Sequence, residues 1–386
     1  MHLDPAMPTL VASIFGLLLL GYLARLLRQP TVIAYLVGGI LLGPAVLGVV
    51  HDAAVLGRLG ATGVLLLLFF VGLELSLDQL LDSWRVIVLG TIAQIALSVL
   101  LTMGLGWMLG WPPARGLILG FVISLSSTAV IIRLLQEFRE TQTRAGSATI
   151  GILIAQDLAV VPMIVILGWL APVSAHAPPL GLQSIGALAC LLFVVAVVRA
   201  KRIRIPFQKV LLQNQDLQVF GALLLFFGMS SLTAVLGLSS AIGAFLAGLF
   251  VSRTEATHGF RDSLEPFRVV FLAAFFVSIG MLLDLHFVLE NAGTLALLVV
   301  LAYGVNTGIN TVCLRFLDVP WRESLYMAGL LSQVGEFSFV LAAIGLQAGI
   351  LTAYGHQMTI CVISLSILFS PLWVSLTRRL ARPSSS

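Results

Sequence analysis

Long apolar segments with few or no charged residues follow one another along almost the whole chain. A helix that crosses a bilayer needs about 20 mostly apolar residues, and the sequence divides into about 13 such spans. Only 10% of the residues are charged, whereas soluble domains carry roughly 25%, so the chain cannot cover a water-facing surface. The sequence therefore predicts an all-α integral membrane protein with about 13 transmembrane helices.

The basic residues predict how these spans are oriented. If the N-terminus lies outside, every Lys and Arg except Arg58 and Arg115 falls at a cytoplasmic span end or in a cytoplasmic loop, as in most membrane proteins. We therefore expect a multi-pass protein of the inner (plasma) membrane with its N-terminus outside and its C-terminus in the cytoplasm. The net charge of +4 is explained by these loops and does not indicate a nucleic-acid partner; the expected surroundings are the lipid bilayer.

The order of the spans predicts internal symmetry. Spans 1–6 and 8–13 form two six-helix halves on either side of span 7, and the halves are inverted because span 1 enters from outside and span 8 from inside. In inverted-repeat transporters the substrate site lies near the midplane, where corresponding spans are interrupted. Spans 5 and 12, near residues 116–135 and 324–348, correspond in this way, and both carry polar residues at mid-depth.

Two acidic residues lie in the middle of predicted spans, Asp157 in span 6 and Glu336 in span 12. A charged group at this depth costs at least about 2.5–3.5 kcal/mol. No Lys or Arg lies at matching depth, so Asp157 can bind either a proton or a cation. Asp157 is therefore either an ion-binding residue or a protonated carboxyl group that is hydrogen-bonded to a neighbouring helix. Glu336 either belongs to the same site or satisfies backbone N–H groups at a helix break near Gly335.

Further polar residues extend the candidate site. Hydroxyl groups at mid-span compete for backbone groups, bend helices and provide hard oxygen ligands. Pro162, which follows Asp157 in span 6, removes one helical hydrogen bond and is either an ordinary packing kink or part of the site. The remaining candidates are Ser124, Ser126, Ser127 and Thr128 in span 5, and Ser332 and Gln333 in span 12.

In these segments the chain resembles the monovalent cation/proton antiporter-2 family, most closely the membrane domain of Kef-type potassium/proton antiporters. The resemblance implies a homodimer in which helices 5 and 12 are broken and cross at the midplane. The matching segments occur in family order at residues 38–44, 70–75, 125–130, 156–159, 243–248, 264–281 and 331–339.

The resemblance also implies a division into a dimerising scaffold and a moving core. The scaffold would be helices 1–3 at residues 1–84 and helices 8–10 at residues 211–290. The core would be helices 4–6 at residues 85–171, and helices 11–13 with a short cytoplasmic tail at residues 291–386. Residues 172–210 would contain linker helix 7.

The family pattern assigns roles to individual residues. The acid that matches Asp157 carries the cation and the proton in turn, and Gln156 stands where sodium-selective electrogenic relatives often have a second acid. One titrating carboxylate implies electroneutral exchange of a monovalent cation, with K⁺ favoured and Na⁺ possible, by elevator-like alternating access. Ser126, Ser127 and Thr128 would lie beside that ion, and no cofactor is implied.

This sequence departs from the Kef pattern in two ways. Kef-like relatives carry a Lys at the position that aligns with Asn306. Kef-type systems also usually append a cytoplasmic nucleotide-binding regulatory domain, which is expected to be separate or missing here.

Other functions remain open from the residues alone. A cation channel would need a filter-like segment, and an organic-anion/sodium symporter on a related fold would need a basic residue in the core; neither feature is apparent in the sequence. A non-transporting scaffold would not explain an acid at the centre of span 6. An enzyme is not expected, because the sequence shows no nucleophile motif, metal-ligand set or phosphate loop.

Overall fold

The computed structural model is helical throughout the part of the chain that it describes. Apart from one isolated bridge between Ile203 and Thr254, these residues contain no β structure. The residues described are 6–27, 29, 31–43, 46–48, 53–74, 85–170, 180–200, 203, 214–238, 240–254 and 257–381. Most of the basic loop after predicted span 7 and the C-terminal tail lie outside them.

The helices follow the apolar segments of the sequence. The first eight are α1 (Ala6–Leu26), α2 (Thr31–Leu42), α3 (Ala53–Glu74), α4 (Gly90–Met108, preceded by a π-helical turn at Arg85–Leu89), α5 (Pro113–Ser124), α6 (Thr128–Glu137), α7 (Arg144–Leu170) and α8 (Leu180–Arg199). The others are α9 (Gln215–Val235), α10 (Ser240–Ser252), α11 (Thr257–Leu282), α12 (Leu285–Glu290), α13 (Ala292–Phe316), α14 (Trp321–Leu330), α15 (Phe337–Gln347) and α16 (Ala353–Ala381).

Six segments are individually long and apolar enough to cross a membrane. They are Arg85–Met108, Arg144–Leu170, Gln215–Val235, Gly259–Met281, Ala292–Phe316 and Ala353–Ala381. The structure thus confirms an all-α protein with membrane-spanning helices. The total of 13 spans and the inverted repeat stay predictions.

The chain divides into two compact units. The first comprises Met1–Ala53, Leu77–Asp157 and Phe276–Ser386, and the second comprises Ala54–Ser76 and Leu158–Phe275. This division is based on compactness, whereas the predicted scaffold and core are defined by movement, so the predicted domain boundaries stay predictions. The first unit contains the candidate site.

Glycines allow close helix packing inside each unit. In the first unit, a Cβ atom on Gly39 of α2 would lie 2.2 Å from the Val277 carbonyl oxygen of α11. In the second unit, a Cβ atom on Gly248 of α10 would lie 1.9 Å from the Phe69 carbonyl oxygen of α3. Such small residues let helix backbones approach each other directly, which is typical of helix packing in membranes.

Predicted spans 5 and 12 are both broken, as the sequence indicates. Span 5 is α5 followed by α6, with residues 125–127 outside any helix, and span 12 is α14 followed by α15, with residues 331–336 outside any helix. We call these two segments the first and second breaks. Leu125 and Ser127 have extended backbone, with ψ of 129° and 112°.

The two broken helices also begin with the same local structure. Before α5, Gly110 has a φ of 68° and Pro112 precedes the helix; before α14, Asp318 has a φ of 62° and Pro320 precedes the helix. In both turns, the backbone amide of the residue that follows the left-handed residue donates to a carbonyl of the preceding helix, as in a Schellman motif. Both turns thus end the preceding helix and start the broken one in the same way.

Candidate ion-binding site at the two broken helices

The first and second breaks contact each other through their backbones. The Gly335 amide donates to the Leu125 carbonyl at 2.7 Å, and the Ser126 hydroxyl donates to the Leu331 carbonyl at 2.7 Å. A Cβ atom on Gly335 would lie 2.5 Å from the Ser126 carbonyl carbon and 2.7 Å from the Ser127 nitrogen. Only glycine fits this contact, which explains the Val-Gly sequence in the second break.

Interrupting a helix inside a membrane leaves backbone carbonyls without helical partners, and lipid offers no donor. Here the end of α5 is satisfied one group at a time. The carbonyl of Val122 accepts from the Ser338 hydroxyl at 2.6 Å, and that of Ser124 from the Gln94 side-chain amide at 3.0 Å. The Ser124 hydroxyl itself bonds locally to the Phe121 carbonyl at 2.8 Å.

Asn306 on α13 connects the two breaks. Its side-chain nitrogen donates to the Ile123 carbonyl at 2.8 Å and to the Ser332 carbonyl at 3.1 Å. The side chain is only 2% exposed. An uncharged amide thus satisfies one carbonyl just before the first break and one carbonyl within the second.

Asp157 lies on α7 beside the first break. Its side chain is 7% exposed, and its Oδ2 atom accepts a hydrogen bond from the Thr128 hydroxyl at 3.0 Å. Thr128 is the first residue of α6, and Ser127 caps that helix by accepting from the Val130 amide. The start of α6 therefore fixes the hydroxyl that contacts the buried carboxylate.

Gln156 lies next to Asp157 and binds the backbone of the same break. Its Oε1 atom accepts from the Ser126 amide at 3.0 Å, and its side chain is fully buried. Gln333, in the second break, donates to the Ser127 carbonyl at 3.3 Å. Gln156 of α7 and Gln333 of the second break thus bind backbone groups of two consecutive residues in the first break.

The other predicted residues take different places. Glu336 is 9% exposed and is the N-cap residue of α15, without a side-chain capping hydrogen bond. The Ser332 hydroxyl bonds to the Gly329 carbonyl at 2.7 Å within its own turn. Pro162 lies inside α7 but its side chain is exposed, so it does not join the buried cluster.

Sequence reasoning missed three residues that complete the breaks. Gln94 and Ser338 satisfy carbonyls of α5, and the Ser366 hydroxyl of α16 accepts from the Val334 amide at 3.2 Å. Each is a polar residue in the middle of an apolar segment. That signal was present in the sequence, but only the three-dimensional arrangement shows which backbone group each one satisfies.

The Thr128–Asp157 hydrogen bond leads to the first prediction. We expect Thr128→Val to raise the cation concentration for half-maximal exchange by about tenfold, because a hydrogen bond to a charged group contributes about 1.5–3 kcal/mol. The measurement is the rate of cation-driven proton movement in liposomes. Thr149→Val is the matched control, since Thr149 lies on α7, the helix of Asp157, and its hydroxyl bonds to the Ala145 carbonyl of that helix at 2.7 Å. Equal values for the two variants would contradict the assignment.

A buried carboxylate beside two broken helices that meet at their breaks is the arrangement of a secondary transporter. The comparison with known families agrees. A family model described as "Sodium/hydrogen exchanger, transmembrane" matches residues 12–378, and the chain belongs to this family. It is therefore a membrane transporter and not an enzyme.

Several relatives have similar sequences. The chain is 35% identical over 377 residues to "Iron transporter MagA" of Paramagnetospirillum magneticum, covering 96% of this chain and 85% of that protein. It is 31% identical to "Putative cation/proton antiporter YbaL" of Escherichia coli, covering 98% of this chain and 69% of that protein. It is 32% identical to "Glutathione-regulated potassium-efflux system protein" of Haemophilus influenzae, covering 91% of this chain and 57% of that protein. The resemblance to Kef-type antiporters is thus confirmed.

A solved structure shares the fold. The sodium proton antiporter MjNhaP1 from Methanocaldococcus jannaschii superimposes with a TM-score of 0.69 at 17% identity, covering 97% of this chain and 98% of that chain. At this identity the likeness concerns the fold alone. It agrees with the helical membrane architecture described above.

Proposed function

We propose that this protein exchanges a monovalent cation for protons, with K⁺ favoured over Na⁺, and that Asp157 binds the two ions in turn. The observation that supports this proposal is the buried Asp157 carboxylate with the Thr128 hydroxyl 3.0 Å away, directly beside the break. Family membership supports cation/proton exchange, and the names of the Kef-type relatives favour potassium.

The proposed cycle has two loaded states. Asp157 binds a partly dehydrated cation facing one side, releases it on the other, and returns with a proton. The single carboxylate carries one monovalent cation in one direction and one proton in the other, so the exchange is electroneutral. The moving part is the predicted core at residues 85–171 and 291–386, against the predicted scaffold at residues 1–84 and 211–290. In this proposal the protein acts as a homodimer in the inner membrane, with its C-terminus in the cytoplasm.

The proposed cation ligands are the oxygen atoms nearest to the buried carboxylate. They are the Asp157 carboxylate and the Thr128 hydroxyl that bonds to it at 3.0 Å, supported by the Gln156 and Ser127 oxygen atoms, each of which keeps a lone pair beyond the one used in its hydrogen bond. Oxygen donors with a single carboxylate suit a weakly hydrated monovalent cation.

The name of the MagA relative makes iron the second candidate substrate. Transition-metal sites usually combine imidazole, thiolate or several carboxylate ligands. The Asp157 carboxylate accepts from the Thr128 hydroxyl, and the described residues contain no cluster of His, Cys, Asp and Glu side chains that could hold a metal ion, which favours the monovalent cation. Ferrous iron nevertheless belongs in the substrate test.

The test is reconstitution in liposomes with a trapped pH dye and an imposed gradient of K⁺, Na⁺, Li⁺, Rb⁺ or Fe²⁺. We expect a cation gradient in either direction to drive protons in the direction opposite to the cation flux, and we expect K⁺ and Rb⁺ to be the most effective cations. Empty liposomes and liposomes with heat-denatured protein give the background. Proton movement that is driven by an Fe²⁺ gradient and by no other cation would identify Fe²⁺ as the substrate in place of K⁺. Currents far above transporter turnover would indicate the channel, and no proton movement with any ion would contradict exchange.

A further inference from the structure

Glu140, in the turn between α6 and α7, contacts α14 and α16 through its carboxylate. Glu140 accepts hydrogen bonds from the Tyr326 hydroxyl of α14 and from the Arg378 guanidinium of α16, the latter at 2.5 Å. The same guanidinium lies 3.9 Å from the centre of the Phe138 ring. Arg378 is thereby held in a fixed position at the end of the last helix.

The backbone of this turn fixes Glu140 from the other side. Arg139 has a φ of 58°, and the Glu140 amide donates to the Leu135 carbonyl at 2.8 Å. The Thr143 hydroxyl donates to the Glu140 carbonyl at 2.7 Å. A Cβ atom on Gly146 would lie 1.9 Å from that carbonyl oxygen. The carboxylate is therefore presented by a closely packed turn.

Beside this cluster lies a cavity of about 190 Å³ that is lined by Phe138, Ser375, Arg378 and Arg379. We call it the arginine pocket. Glu140 neutralises Arg378, whereas no ion pair with Arg379 occurs among the residues that the structure describes. The pocket therefore keeps a net positive charge at Arg379, next to an aromatic ring and a serine hydroxyl.

The helix that supplies both arginines also exposes an apolar surface. Leu372, Leu376 and Leu380 of α16 are 70%, 49% and 65% exposed, and they lie one turn apart on one face. In a membrane protein such a face contacts lipid acyl chains. The pocket thus places a cationic group beside a lipid-facing surface at the end of a membrane helix.

We infer that the arginine pocket binds a phosphate-bearing anion, and that the headgroup of an anionic phospholipid is its usual source. Arginine pairs with phosphate oxygens in a two-point geometry, and basic pockets between transmembrane helices bind anionic headgroups. Arg379 supplies the unneutralised charge. The Glu140 carboxylate competes with the phosphate for Arg378, so removing the Glu140 charge strengthens binding.

The experiment measures phospholipid retention by native mass spectrometry of protein that is purified in detergent and incubated with phosphatidylglycerol. We expect Arg379→Gln to lower the bound fraction about fivefold, because one basic residue near a membrane surface contributes about 1 kcal/mol of attraction to anionic lipid. Glu140→Gln is expected to raise retention above wild type. Arg315→Gln is the matched control, since Arg315 is an exposed arginine in the last turn of another membrane helix, and it should leave retention unchanged.

Two further arms identify the source of the phosphate and control for misfolding. Phosphatidylcholine, which has no net charge, should show no difference between wild type and Arg379→Gln. Thermal stabilisation by inorganic pyrophosphate that Arg379→Gln abolishes, without retention of phosphatidylglycerol, would assign the pocket to a soluble phosphate. If Arg379→Gln does not give a monodisperse protein, Glu140→Gln and Arg379→Lys carry the comparison. Equal phosphatidylglycerol retention in wild type, Arg379→Gln, Glu140→Gln and Arg315→Gln, with no pyrophosphate effect, would overturn the inference.

Discussion

Asp157→Asn is expected to abolish cation-driven proton movement in liposomes, down to the rate of empty liposomes. Asparagine has nearly the same shape, and its side-chain oxygen can still accept the Thr128 hydroxyl, so the fold around the first break should persist. What the variant loses is the negative charge that takes up a proton or a cation. The measurement is the initial rate of the trapped pH dye after a K⁺ or Na⁺ gradient is imposed.

The control for Asp157→Asn makes the same chemical change at another acid of the same unit. Asp318 is exposed and adopts a φ of 62°, a conformation that asparagine tolerates equally well. Asp318→Asn should exchange at the wild-type rate. Proton-coupled cation flux that persists in Asp157→Asn would show that another group carries the ions, and Glu336 would then be the first residue to replace.

The reason to expect complete loss lies in the cost of an empty carboxylate. A bare charge in the dry part of a membrane costs at least about 2.5–3.5 kcal/mol. The proposed site therefore changes sides only when Asp157 holds a proton or a cation, and this penalty couples the two fluxes. In Asp157→Asn the side chain has no negative charge, so neither a proton nor a cation is bound there by charge neutralisation.

The sequence indicated the two breaks and the polar residues around them because membrane interiors tolerate few polar groups. Asp157 stood out by its depth in an apolar segment. The hydroxyl run at residues 124–128 predicted an interruption, and the structure places a break at residues 125–127. Gly335 predicted the second break, and its contact with Ser126 shows why a side chain cannot be accommodated there.

The partners of the breaks could not be predicted, because they depend on which helices become neighbours. Gln94 and Asn306 are distant in sequence, yet both donate to carbonyls at the end of α5. Pro162 illustrates the opposite case: it follows Asp157 in sequence, but its side chain is exposed. The number of spans, the moving parts and the orientation depend on the membrane and stay predictions.

Asn306→Leu is expected to destabilise the protein by about 2–4 kcal/mol, because it removes the donor shared by two buried carbonyls and each unsatisfied buried group costs about 1–3 kcal/mol. Leucine has a similar volume, so the loss reflects hydrogen bonding more than packing. The Ile123 carbonyl lies near the end of α5 and the Ser332 carbonyl within the second break, and lipid supplies no replacement donor. The measurement is the midpoint of thermal unfolding of the purified protein in detergent.

Two companion variants separate this role of Asn306 from a general sensitivity of α13. Asn310 is equally buried, but it donates only to the Asn306 carbonyl of its own helix at 2.9 Å, so Asn310→Leu should lower the midpoint much less. Asn306→Lys restores N–H donors at the same position, and its midpoint should lie closer to wild type than that of Asn306→Leu. If Asn306→Leu and Asn310→Leu unfold at the same temperature, the bridge across the two breaks does not stabilise the fold. If only Asn306→Leu is destabilised, the uncharged Asn306 amide holds the two broken helices together.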